Sequence, residues 1–189
     1  MRTKHAVRGL VVGAVVAVIG VAGTSNAQQQ RPMSDQEMIA SAMQAAPRPV
    51  AEAATVVAMG ADGAMRTLRP GTNGWTCMAD NPISPGTDPM CLDANAMEWA
   101  HAWLGRKPPP DKVGFVFMLA GGSDASNTDP YATGPAPGNN WIETGPHVMI
   151  VGPAARTMQG YSREPTPDTA RPYVMWAGTP YEHLMIPMR

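Results

Sequence analysis

The chain contains few cysteines, few phenylalanines and few charged residues. Of its 189 residues, two are Cys, two are Phe and 15% are Asp, Glu, Lys or Arg. The basic residues are scattered rather than gathered in runs, which argues against a nucleic-acid-binding face. The sequence also lacks a Gly-x-Gly-x-x-Gly fingerprint and a phosphate-binding Gly-Lys-Ser/Thr loop, so it gives no support to a nucleotide cofactor.

The amino-terminal apolar run is too short to span a membrane. It extends from Leu10 to Gly23 and has 14 residues, whereas a bilayer requires roughly 20. Basic residues precede it, and Ser25-Asn26-Ala27 offers the small residues that signal peptidase requires. We therefore expect residues 1–27 to be a signal peptide that is cleaved before Gln28. The protein would then be periplasmic or secreted, with no membrane span after cleavage.

Removal of this leader leaves 162 of the 189 residues, enough for one domain with a sizeable core. The leader takes three of the 14 basic residues and none of the 15 acidic ones, so the remainder carries a net charge of −4. The 20 prolines and 19 glycines of the chain indicate long loops and short elements. We predict a single domain over residues 28–189.

Cys77 and Cys91 are the only cysteines, and their spacing fits no zinc pattern. Because an exported chain meets an oxidising compartment, we expect a disulfide between them. The bridge would remove about 3 kcal/mol of unfolded-state entropy. A redox-active pair is the alternative, but a Cys-x-x-Cys motif is missing.

Capping and breaker residues predict two short helices. Ser34 and Glu37 form a capping box before the first helix, which ends at Pro47. Asp93 can cap the second helix, and Gly105 ends it.

Alternating or continuous apolar residues predict strands at residues 54–59, 64–68, 75–78, 113–120, 147–151, 173–177 and 182–186. The apolar run at 113–120 is typical of a central strand that is covered on both faces. Hairpin-linked strands with two helices and long Pro- and Gly-rich loops predict an α+β fold with a mainly antiparallel sheet.

Two of the predicted strands repeat the pattern His-x-Met-Ile. One contains His147 and Met149, and the other contains His183 and Met185. Because residues i and i+2 of a strand share a face, each strand would present one imidazole and one thioether on the same side of the sheet.

The turn before the last strand bears on the position of Trp176. A four-residue loop there would place Trp176 opposite His183. If the strand at residues 173–177 lies between the other two, His147 and His183 lie at the same end of the sheet.

Thioether and imidazole ligands suit Cu(I), and an indole can contribute a cation–π contact. The mature chain would be methionine-rich, with 14 Met among 162 residues. His147, Met149, His183 and Met185 are therefore candidate metal ligands, and Trp176 is a candidate ligand-binding side chain. The alternative is ordinary core packing, because Met fills irregular gaps in cores.

The loop at residues 121–130 concentrates polar side chains directly after an apolar strand, a position that favours function. Asp124, Ser126 and Asn127 are its candidate catalytic residues, with His147 or His183 as the base. Turn chemistry is the alternative role for these residues. No Gly-x-Ser-x-Gly elbow supports a serine nucleophile.

Three function classes follow. The first is an exported domain that binds a small ligand or a soft metal such as Cu(I), with Trp176 and Trp141 as aromatic contacts. The second is an extracytoplasmic hydrolase that uses a strand histidine with the loop at 121–130. The third is a structural or assembly protein of the cell envelope, which an exposed apolar patch would favour.

Overall fold

The part of the chain that the structure describes forms four helices and ten strands. The structure is a computed structural model, and the described residues are 32–60, 63–82, 84 and 86–188, so the expected signal peptide lies outside them. All the elements belong to the unit Met33–Arg189. The helices are α1 (Asp35–Ala42), α2 (Arg48–Ala53), α3 (Ala94–Leu104) and α4 (Ala154–Thr157). The strands are β1 (Thr55–Met59), β2 (Met65–Arg69), β3 (Thr76–Met78), β4 (Met90–Leu92), β5 (Gly114–Met118), β6 (Ala125–Ser126), β7 (Trp141–Ile142), β8 (His147–Val151), β9 (Tyr173–Met175) and β10 (His183–Pro187).

Eight strands form one mixed, mostly antiparallel sheet in the order β2-β1-β3-β4-β5-β8-β10-β9. The β1–β3 pair is parallel. Strands β6 and β7 form a separate antiparallel pair. The fold is therefore α+β, as predicted, and the apolar strand β5 lies in the interior of the sheet. No helix in the described residues is long and apolar enough to cross a membrane.

The two predicted helices begin where their capping residues stand. Ser34 and Glu37 form the capping box of α1. The carboxylate of Asp93 accepts hydrogen bonds from the backbone N of Ala96, at 2.8 Å, and of Phe115, at 3.1 Å. One side chain thus caps α3 and ties it to β5, which fixes the helix against the sheet.

The sequence prediction missed several short elements. The first helix ends at Ala42 rather than at Pro47, which is the N-cap of α2. The first turn of α2 tolerates Pro49 because the amide at that position has no helical partner. Strand β4 was not among the predicted strands, yet it pairs with β3 in register through Cys91 and Cys77. The short elements β6, β7 and α4 were also missed, because a run of two to four residues has no readable periodicity.

Two separate apolar clusters pack on the sheet. One contains the disulfide and small side chains under α1 and α2, including Ala42, Ala45 and Ala51. The other contains α3 and large side chains from the carboxyl-terminal strands, including Trp99, Trp176 and Met185. Cys91 and Leu92 are adjacent on β4 and belong to different clusters, so the clusters lie on opposite faces of the sheet.

The expected disulfide is formed. Cys77 and Cys91 are directly opposed on β3 and β4, and both are fully buried.

The prediction that the central strand is covered on both faces is wrong at one position. Phe117 stacks on Trp75 with 5.1 Å between ring centroids. Phe115, two residues earlier on the same face, is 42% exposed. The helices on this face cover β3 and β4 but leave Phe115 open to solvent.

Candidate functional site

A cavity of about 160 Å³ lies between α3 and the sheet face that carries the large side chains. We call it the methionine cavity. Its wall includes the thioethers of Met90, Met118, Met149, Met175 and Met185. It also includes the rings of Trp99, Trp103, Trp176, His147 and His183. All four predicted metal ligands and Trp176 therefore line one cavity.

Strand register explains this convergence. Strand β10 pairs with β8 on one side and with β9 on the other, both antiparallel. Met185 lies opposite Met149, and His183 lies opposite Met175. Since directly opposed residues share a face, these four side chains lie on the cavity side of the sheet.

Two details of the predicted arrangement are wrong. The last strand, β10, lies in the middle of the three, so it is antiparallel to β8. His147 consequently lies opposite Pro187, while His183 precedes the Leu184–Ile150 pair at the other end of the two strands. The histidines are at opposite ends of the β8–β10 pair, with the two methionines between them.

The register of Trp176 is also shifted by one residue from the prediction, because Met175 occupies the position opposite His183. Trp176 follows the strand with a left-handed backbone, φ 55°. Its ring still contacts His183, with 4.8 Å between the centroids and a near-perpendicular arrangement. A hydrogen bond from Trp176 Nε1 to the carbonyl oxygen of Ser126, at 2.9 Å, holds the indole there.

Both cavity imidazoles are held in one tautomer by the backbone. Nδ1 of His147 lies 2.7 Å from the carbonyl oxygen of Gly145, and Nδ1 of His183 lies 3.0 Å from that of Tyr181. A carbonyl can only accept, so Nδ1 carries the proton in each ring and Nε2 keeps its lone pair. No hydrogen bond within the described residues engages either Nε2.

Burial keeps these imidazoles neutral. Desolvation lowers the pKa of His183 to about 4, the hydrogen bond to Tyr181 opposes this shift, and nearby His147 adds to it. Desolvation also lowers the pKa of His147, against the effect of its bond to Gly145. A neutral imidazole whose Nδ1–H is fixed by a carbonyl is the form that metal ligation requires.

Ser123 of the loop at residues 121–130 lines the cavity with the histidines, but the three candidate catalytic side chains of this loop do not reach them. The hydroxyl of Ser126 donates to the carbonyl oxygen of Asn139 and accepts from Asp129 N. The amide of Asn127 donates to the carbonyl oxygens at positions 164 and 165. Asp124 is half-buried and is not part of the cavity wall. No hydrogen bond in the described residues joins these three side chains to an imidazole, so they do not form the proposed catalytic group.

Trp141 does not belong to the methionine cavity. It lies in β7, where it pairs with Ser126 of β6, and it is half-buried.

Sequence reasoning missed several residues of the site. Trp99 and Trp103 are four residues apart on α3 and were not predicted as site residues. Their i, i+4 spacing was the available signal, because it puts both rings on one helix face. Met118 lies opposite His147, and this neighbour could not be found without the strand order.

The cavity wall carries one unpaired donor and one acidic group. Nε1 of Trp99 is buried and has no hydrogen-bond partner within the described residues. Asp88 is buried and accepts from Asn81 N and the Ser84 hydroxyl. Burial raises the pKa of Asp88, with the neighbouring carboxylate of Asp80 adding to the shift.

The described residues contain no group of three or more His, Cys, Asp or Glu side chains that could hold a metal ion. A metal in the methionine cavity would therefore depend on thioether sulfur. No protein-family model, curated protein or solved structure is significantly similar to this chain.

Proposed function

We propose that this protein binds Cu(I) in the methionine cavity, as an exported protein with a structural disulfide. The observation that carries the proposal is the opposition of Met149 and Met185, with the neutral imidazoles of His147 and His183 at the two ends of the same strand pair. Thioether sulfur and imidazole nitrogen are soft or borderline donors, which suit Cu(I) better than the hard cations.

The charge of the donor set also favours a monovalent ion. Thioethers and neutral imidazoles contribute no negative charge, so the bound metal keeps its full charge in a largely apolar cavity. The cost of burying an uncompensated charge rises steeply with that charge, which disfavours divalent ions. Trp176 adds an aromatic ring beside His183, where it can stabilise a cation through its π face.

The buried Cys77–Cys91 bridge supports the exported location, because such bridges persist in oxidising compartments. The hydrolase alternative receives less support. The imidazole Nδ1 atoms bond to backbone carbonyls rather than to a carboxylate, and the hydroxyl of Ser126 is engaged by the backbone of its own loop.

The test is a Cu(I) titration of residues 28–189 against a chromophoric Cu(I) chelator, with tryptophan emission as a second readout. We expect one Cu(I) per chain and quenching of emission, because three indoles line the cavity. The variant Met149→Leu/Met185→Leu should lose Cu(I) affinity by about tenfold or more while it keeps its fold, since Leu and Met have similar volumes.

Met59→Leu is the matched control, because Met59 is 51% exposed on β1. It should bind Cu(I) like the parent protein. The double variant His147→Ala/His183→Ala should also lose uptake. Unchanged uptake in both double variants would disprove the site, and absence of any Cu(I) binding by the parent protein would reject the proposed function.

A further inference from the structure

A second recess adjoins the methionine cavity at His147. It is a cleft of about 250 Å³, which we call the His147 cleft. Its wall includes Thr144, His147, Tyr173, Met185 and Met188. His147, Met185 and Thr144 also line the methionine cavity, so these side chains form the common wall of the two recesses. Met188 is 45% exposed at the rim, which leaves the cleft open to solvent.

Two buried polar groups reach this cleft. Tyr173 is 1% exposed and His147 is 4% exposed. No hydrogen bond in the described residues engages the Tyr173 hydroxyl, and the Nδ1 bond to Gly145 leaves the lone pair of His147 Nε2 free. Neither atom is among the fully buried side-chain atoms without a partner in the described residues, so both remain accessible to a ligand that enters the cleft.

The protonation states of these groups make one a donor and the other an acceptor. Burial raises the pKa of Tyr173, so its phenol stays protonated near neutral pH. The hydrogen bond from Nδ1 of His147 to the carbonyl oxygen of Gly145 leaves Nε2 as an acceptor. They lie on β9 and β8, on either side of β10, and the backbones of those strands are therefore roughly 10 Å apart. Tyr173 lies opposite Met185 and His147 lies opposite Pro187, so both rings are on the same face of the sheet.

The cleft wall contains no Asp, Glu, Lys or Arg side chain within the described residues. A carboxylate or an ammonium group would lose its hydration there without gaining an opposite charge, which is unfavourable. A carboxamide avoids this loss, because its carbonyl accepts from a phenol and its N–H donates to an imidazole.

We propose that the His147 cleft binds a small neutral molecule that carries a carboxamide group, held between Tyr173 and His147. The volume suits a ligand somewhat smaller than the drug-sized molecules that fill pockets of about 300–1,000 Å³. Apolar parts of the ligand would contact Met185 and the two prolines of the cleft wall, Pro146 and Pro187. This site shares His147 and Met185 with the proposed copper site, so it is tested in copper-free protein.

The experiment titrates copper-free protein, kept with a Cu(I) chelator, with n-butyramide and separately with butyrate, and follows backbone amide resonances by NMR. The two probes have the same size and differ in charge. Butyramide should give saturable shifts at Gly145, His147 and Met188, with a Kd on the order of 1–10 mM for a probe of this size. Butyrate should give no saturable shift.

Tyr173→Phe should weaken butyramide binding about fivefold, because it removes one hydrogen bond and keeps the ring. Tyr161→Phe is the matched control, because Tyr161 is 40% exposed and does not line the cleft. The proposal is overturned if butyramide does not bind, if butyrate binds equally well, or if Tyr173→Phe binds like the parent. Butyramide binding in a protein that fails to bind Cu(I) would support the cleft and reject only the copper site.

Discussion

Met149 and Met185 are directly opposed on the antiparallel strands β8 and β10, and both side chains line the methionine cavity. Each methionine lies two residues after a histidine on its own strand, so the strand pair carries the order imidazole, two thioethers, imidazole across one face. Thioether sulfur does not titrate, and burial keeps the pKa of both imidazoles below its ordinary value. Protons therefore compete weakly with a metal at this site.

The first prediction concerns the pH dependence of Cu(I) affinity. Between pH 8 and about pH 5.5, the affinity should change by less than about threefold, because His183 has a pKa of about 4 and is already neutral. A site built on exposed histidines would lose affinity below their usual pKa of about 6.5. Competition with a chelator of known pH dependence measures this. A tenfold loss by pH 5.5 would contradict the neutral-imidazole arrangement.

The second prediction concerns stability in acid. The unfolded chain protonates His183 near its usual pKa of about 6.5, whereas the folded chain does so near 4. Its contribution is therefore fully present above pH 6.5 and is lost as the pH falls toward 4, by about 3 kcal/mol in total. Urea unfolding at several pH values measures the slope of the free energy of unfolding against pH.

His183→Gln should make the free energy of unfolding less dependent on pH between pH 6.5 and 4. His101→Gln is the matched control, because His101 is an exposed histidine on α3. The control should keep the slope of the parent protein. Equal slopes in all three proteins would mean that His183 does not carry the acid sensitivity.

The third prediction compares two buried indoles of the same cluster, Trp99 and Trp176, whose ring centroids are 6.2 Å apart. Nε1 of Trp176 donates to Ser126 O, whereas Nε1 of Trp99 has no partner in the described residues. Trp176→Phe should therefore lower the free energy of unfolding by about 1–2 kcal/mol more than Trp99→Phe, since only the former leaves a carbonyl unpaired. Paired denaturation curves measure the difference, and an equal or reversed order would reject the hydrogen-bond argument.

The fourth prediction concerns the disulfide. Cys77→Ala/Cys91→Ala should lower the free energy of unfolding by about 3 kcal/mol, because the bridge spans 14 residues. Cu(I) affinity should be retained, because the bridge lies on the opposite face from the methionine cavity. Loss of affinity in a variant that still folds would show that the two faces are coupled.

Much of the fold could be predicted because its signals are local. The capping box of α1, Asp93 and Gly105 at the ends of α3, and the apolar residues of β8 act within a few residues of the elements they define. Strand β4 was missed because it has three residues and is specified by its partner β3 and by the disulfide. Pairing of this kind connects distant residues and leaves no periodicity to read.

Five predicted residues line the methionine cavity, namely His147, Met149, Trp176, His183 and Met185, but their arrangement differs from the predicted one. The repeated His-x-Met pattern sufficed to put four side chains on one face. The order of β8, β10 and β9 could not be read, because an antiparallel strand can pair on either edge of its neighbour. Trp176 contacts His183 as predicted, but it is not the residue opposite His183 in the strand pair. Its left-handed backbone and its hydrogen bond to Ser126 place the indole against His183.

The two faces of the core differ in how easily their side chains can adapt to substitutions. The fully buried side chains of the face under α1 and α2 are mostly alanine and cystine, which have little freedom to rearrange. The other face is lined with thioether chains that have three rotatable bonds each and can adapt to new neighbours. Selectivity for a bound species could therefore shift by single substitutions on the adaptable side, while the rigid side preserves the architecture.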